Sequence, residues 1–171
     1  MQRKKIIFIV AALLVAVSIG IIVRQIGYST EGDREASQTP QYAVVLPTNK
    51  TIADLGGWQR VSPLESDAVF AYSDNINGIP VSVSQQPLPN LFKSNTDKEL
   101  AQLAQSYSAT NKLDANGIIV YVGTSAKGPQ STIFIKKDLL ILIKSQSKIQ
   151  DDAWISYVNS LDDPINPSVS Y

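Results

Sequence analysis

The stretch NGIIVYVGTSAKGPQSTIFIKKDLLILIKS, residues 116–145, decides the fold. It holds three apolar runs: Ile118 to Val122, Ser131 to Lys136 and Leu139 to Ile143. The first two are rich in β-branched and aromatic residues, the third is wholly aliphatic, and each is short enough to read as a strand. Lys137-Asp138 is the length of a tight hairpin turn, and Gly123 to Gln130 reads as a longer loop. LLILI is apolar at every position. A strand of that kind is buried on both faces. It is therefore expected in the middle of a sheet, or with one face against something other than water.

On the amino-terminal side, Asn116-Gly117 is a break. Before it, Leu100, Leu103, Ala104 and Tyr107 share one helical face, and Thr96 with Glu99 has the spacing of a capping box. A helix is expected from about 97 to 109. Further back, Val69 to Ser73 reads as a strand, Asn75 to Gly78 as a turn, and Ile79 to Gln85 as a half-buried strand with Val81 and Val83 alternating against Ser82 and Ser84. Tyr42 to Leu46 is a leading strand or an extended packed segment. On the carboxyl side, Ser147 with Gln150 offers a second capping box, and Trp154, Val158 and Leu161 share one helical face. The order is hairpin, helix, three strands, helix. It implies an α+β, two-layer domain: one mainly antiparallel sheet of about five to six strands with two helices on one face.

A second run governs placement. Residues 6–23, IIFIVAALLVAVSIGIIV, carry no charge, and as a helix would span about 27 Å, near the hydrocarbon thickness of a bilayer. Ile6, Phe8, Leu13, Leu14, Ile19 and Val23 are its expected anchor residues. Arg3, Lys4 and Lys5 precede it and set the amino terminus on the cytoplasmic side. Ala16-Val17-Ser18 resembles a signal cleavage site, but the apolar run continues past it, which favours an uncleaved signal anchor. Ala12, Ala16 and Gly20 recur every fourth residue and would let two such helices pair. The organisation expected is a basic stub at 1–5, a transmembrane anchor at 6–26, a flexible tether at 27–44, an extracytoplasmic domain at 45–163 and a disordered tail at 164–171.

The 171-residue chain has no cysteine and no histidine. That excludes disulfides, thiolate sites, the Ser-His-Asp triad and most zinc sites. Of 15 basic and 15 acidic residues, four basic ones lie in the first 24, which leaves the remainder 11 against 15. Such a balance offers nothing to nucleic acid. Ser145 to Lys148 matches S-x-x-K and Ser73-Asp74-Asn75 matches S-D-N, but in reversed order and without K-T-G. Ser125 with Lys127 is the remaining Ser–Lys pair. Asp151/Asp152 and Asp162/Asp163 suit helix ends better than acid–base catalysis.

The run over 116–145 with the D-D-x-W helix after it, and the hairpin containing GIPVSVSQQPLP, resemble uncharacterised single-span membrane proteins of Saccharibacteria and related candidate-phylum bacteria, over about residues 50–161. The ending, an apolar strand followed by a helix closing on Ser-Leu, also looks like extracytoplasmic domains of anti-sigma-type membrane proteins. Neither resemblance supplies a catalytic residue. The expectation is a single-pass cell-membrane protein with its domain outside, binding or sensing rather than catalysing, with no cofactor or metal. The bilayer is one expected partner; a membrane or envelope protein, or a second copy through the anchor helix, is another. The alternatives are a carrier of lipid or another apolar ligand, and a Ser–Lys hydrolase.

Overall fold

The computed structural model describes residues 39–161. The basic stub, the anchor and pairing residues, the tether up to residue 38 and the tail lie outside the described residues. Among the described residues, no helix is long and apolar enough to cross a membrane.

The chain runs β1 (Gln59–Arg60), β2 (Phe70–Ile76), β3 (Ile79–Pro87), a 3-10 turn (Asn90–Ser94), α1 (Thr96–Ser106), β4 (Asn111–Ala115), β5 (Ile118–Thr124), β6 (Gln130–Lys136), β7 (Leu139–Ser145) and α2 (Asp151–Ser160). All seven strands form one sheet in the order β1-β2-β3-β7-β6-β5-β4, and every adjacent pair is antiparallel. Three hairpins turn on two residues at positive φ: Asn77-Gly78, Asn116-Gly117 and Lys137-Asp138. This twist matches that of the flanking strands. The meander β4 to β7 returns to lay β7 against β3, so LLILI occupies the central strand, as its composition requires.

The helices lie on opposite faces, not on one, and this corrects the two-layer expectation. The reason is visible along β7. Leu139, Ile141 and Ile143 pack with Trp154, Tyr157 and Val158 of α2, whereas Leu140 and Leu142 pack with Leu100, Leu103 and Ala104 of α1. Successive strand residues point to opposite faces, so an all-apolar strand needs a cover on each. The β3–β4 crossover supplies one cover and the chain after β7 supplies the other. The backbone of α2 approaches those of β4 and β2, far apart in the sheet order, more closely than those of the strands between them, which its side chains reach. The sheet therefore curves around α2, and its concave face is filled.

Seven strands replace the expected five to six. The two-residue β1 has no sequence signature. In β4, Asn-Lys-Leu-Asp-Ala places only Leu113 and Ala115 inward, too little to read as a strand without its partner β5. Tyr42 to Leu46 forms no named strand and is the extended packed segment. Val45 is fully buried, and the side-chain amide of Gln85 takes the place of a neighbouring strand. Its Oε1 accepts from Val45 N–H at 3.0 Å and its Nε2 donates to Val45 C=O at 2.7 Å. Both expected capping boxes are absent. Asn95, one residue earlier than expected, caps α1 by accepting from Lys98 N–H, while Thr96 Oγ1 donates to Phe92 C=O. Gln150 precedes α2 without a side-chain cap. The two ends of the domain meet where Pro47 bridges Leu161 and Thr48 N–H donates to Ser160 C=O at 2.7 Å.

Candidate functional site

The face of the sheet that carries α1 is only half covered. The rows through Tyr121, Ile133, Leu142 and Leu140 lie beneath α1 and the 3-10 turn. Beyond them the sheet is open. There the register places Ser73 opposite Ser82, Ser82 opposite Lys144, Lys144 opposite Ser131, and Ser131 opposite Gly123. These five residues form one row across β2, β3, β7, β6 and β5. Strands lie about 4.8 Å apart, so the row runs for about 19 Å. It lies on the floor of a groove of about 1260 Å³. Tyr107 and Ser108, at the end of α1, and the 124–129 loop contribute to its lining on one side. Asp54 to Gly57, whose Leu55 C=O accepts from Ser73 N–H, contribute at the β2 end.

Gly123 is where the helical wall meets the floor. A Cβ there would lie 2.9 Å from both Ala109 Cα and Ser108 O. Only glycine lets the chain leaving α1 cross this low over β5.

The central row of the groove floor is polar, within a lining that exposes more apolar than polar surface, and Ser73 and Ser82 in it are solvent-exposed. The hydroxyls of Ser73, Ser82 and Ser131 make no hydrogen bond among the described residues, whereas Ser84, in the next row, donates to Leu142 C=O at 2.9 Å. Lys144 is half-buried, and desolvation holds its ammonium below the ordinary lysine range. Among the described residues it has no hydrogen bond and no ion pair; the one ion pair there joins Lys50 to Asp74. Asp54, exposed at the β2 end, is held low by hydrogen bonds from the Thr51 hydroxyl and Thr51 N–H. Tyr107 brings a hydroxyl that is buried without a partner, and burial raises it to about 12.

The second polar cluster is internal. Asp74 is buried and accepts from Lys50 Nζ at 2.5 Å, Asn75 N–H at 2.7 Å and Tyr157 OH at 2.9 Å. Burial first, then the neighbouring Tyr72 and Asp74, push the Tyr157 phenol far above its usual range. The arrangement pins α2 and the segment after Leu46 to β2. A third network has the same character: Gln130 Oε1 accepts from Ile149 N–H at 2.7 Å and Trp154 Nε1–H at 3.0 Å, fixing the approach to α2.

The sequence-derived Ser–Lys candidates do not assemble. Ser125 and Lys127 are both exposed in a loop closed by backbone bonds from Ser125 to Pro129 and from Gly128 to Ser125. Ser145 is buried, accepts from Gln130 N–H and donates to Ser147 C=O, while Lys148 is exposed. Ser73-Asp74-Asn75 lies within β2, not in the turn, so Ser73 faces the groove and Asp74 the interior. Asp151 and Asp152 are exposed in the first turn of α2, and Asp162/Asp163 lie outside the described residues. The residue that sequence reading passed over is Lys144. Its one signal is parity: it follows Leu142 by two and is the first charge after LLILI. Compared with family models, curated proteins and solved structures, the chain matches none.

Proposed function

We propose that this chain is a membrane-anchored, outward-facing binding domain whose transverse groove takes a polar, hydroxyl-rich ligand without catalysis. The observation that carries the reading is the row Ser73–Ser82–Lys144–Ser131, whose side chains have no partner within the described fold. In concave sites a few placed polar groups fix a ligand's orientation and give specificity. The apolar-carrier alternative draws less support, because Trp154, Val158, Val45 and Leu46 fill the concave face where a greasy ligand would sit. The hydrolase alternative needs a Ser–Lys hydrogen bond, and neither Ser125 with Lys127, nor Ser145 with Lys148, nor Lys144 with its serine neighbours forms one. In this reading the uncharged run at 6–23 holds the groove near the outer membrane surface, with the bilayer and an envelope component as partners.

The test is an array of sugar chains and polyols probed with the full chain in neutral-lipid nanodiscs, against Ser82→Trp, which fills the row beside its central Lys144. Binding by the wild type that is lost in the variant supports the groove; binding unchanged in Ser82→Trp overturns it. Orientation is tested separately by adding protease to intact cells. Clipping within residues 27–41 supports it, and survival until lysis overturns it.

A further inference from the structure

Resting on the groove reading, we infer that Lys144 is the anchor for a single anionic group, a carboxylate or phosphate, carried on a sugar chain that lies across the strands. The geometry makes the argument. Lys144 occupies the centre of the row, with Ser82 and Ser131 as its partners on the two adjoining strands. An ammonium between two hydroxyls offers an oxyanion one charged and two neutral donors within a span of about 10 Å. Lys144 meets no carboxylate of its own: Asp74 is engaged by Lys50 and Tyr157, and Asp54, on the groove wall, is engaged by Thr51. The presence of Asp54 in the lining disfavours a densely charged polymer and fits one anionic group with neutral hydroxyl-bearing units on either side.

Two other classes of occupant fit less well. A peptide is recognised at an open sheet edge or by apolar pockets, and this row crosses β3, β7 and β6, whose backbone groups are already taken by neighbouring strands. A lipid tail would find serines along this floor row and not an apolar strip. A sugar chain can satisfy unpaired hydroxyls at successive positions, and Tyr107 beside the row adds an aromatic group to the lining.

The experiment is calorimetric titration of the full chain in neutral-lipid nanodiscs with three length-matched probes: a glucose oligomer, a glucose oligomer in which one unit is glucuronate, and a singly phosphorylated glucose oligomer. Lys144→Gln and Lys144→Arg are titrated alongside, with Ser82→Trp as the groove control. The wild type should bind at least one acidic probe about tenfold or more tighter than the neutral one, the usual scale of one charge-assisted hydrogen bond. Lys144→Gln should remove that preference and Lys144→Arg retain most of it; which acidic probe wins separates carboxylate from phosphate. An unchanged preference in Lys144→Gln, or equal affinity for acidic and neutral probes in the wild type, overturns the anion subsite. If those equal affinities vanish in Ser82→Trp, the groove reading survives alone; if they persist, both fall. Lys144-dependent binding to phosphatidylglycerol vesicles with none to the oligomers overturns the sugar-chain assignment in favour of a headgroup.

Discussion

Replacing Gln85 by leucine should destabilise this domain measurably, although it removes no charge and little volume. Gln85 is fully buried, and so is Val45. Its amide makes both hydrogen bonds that Val45 needs, at 3.0 and 2.7 Å. Leucine supplies neither and leaves one N–H and one C=O in the interior with no partner. Each buried orphan costs about 1–3 kcal/mol, so the pair costs about 2–6 kcal/mol. That is a large share of the ~5–15 kcal/mol typical of a whole domain. The gain from burying a leucine side chain, ~1.5–3 kcal/mol, offsets part of it, leaving an expected net loss of about 2 kcal/mol at the middle of both ranges. Urea unfolding of a fragment from residue 39 onward gives the loss, and hydrogen exchange at Val45 gives its location. Both should move together. A variant as stable as the wild type, or one destabilised with Val45 exchange unchanged, would refute the claim that the glutamine amide stands in for a strand here.

Gly123→Ala should destabilise by about 1–3 kcal/mol through overpacking, with the largest chemical-shift changes at Ser108 and Ala109, which its Cβ would meet; silence at those two residues would contradict the close crossing. Lys50→Met strips the ion pair from buried Asp74 but leaves its bonds from Tyr157 and Asn75. Because Lys50 is 39% exposed, the expected cost is about 1–2 kcal/mol and not the full penalty of a buried pair; denaturant midpoints read it. Tyr42 and Tyr107 are both raised to about 12 by burial, the former against a hydrogen bond that lowers it. A phenol raised on folding contributes stability that is whole below its ordinary value near 10 and is lost as pH climbs towards 12, so Tm should fall through that window. Tyr107→Phe should blunt the fall at no cost at neutral pH, since its hydroxyl has no partner to lose.

Much of the domain's architecture is written locally. The all-apolar LLILI needs cover on both faces wherever it goes, so it announces a central strand from composition alone. Asn77-Gly78, Asn116-Gly117 and Lys137-Asp138 close hairpins whose geometry depends on the residues at the turn. The face of α2 is legible because Trp154, Val158 and Leu161 recur at helical spacing, and all three are buried. The run at 6–23 carries its hydropathy with no reference to the rest of the chain. These features share one property: each depends on residues within a few positions of one another.

What needed tertiary structure depends on register between distant segments. Which face each helix covers was undecided by LLILI, because a strand apolar on both sides is indifferent to the choice; the route of the β3–β4 crossover settles it. β4 is a strand because β5 pairs with it, not because of its own residues. Gln85 reads as an ordinary polar position in an alternating strand until Val45, 40 residues earlier, is laid beside it. The groove is the extreme case. Ser73, Ser82, Ser131 and Lys144 are unremarked singly, spread over 72 positions of sequence. They become a row only because antiparallel pairing fixes, two residues at a time, which side chains share a face and stand opposite one another.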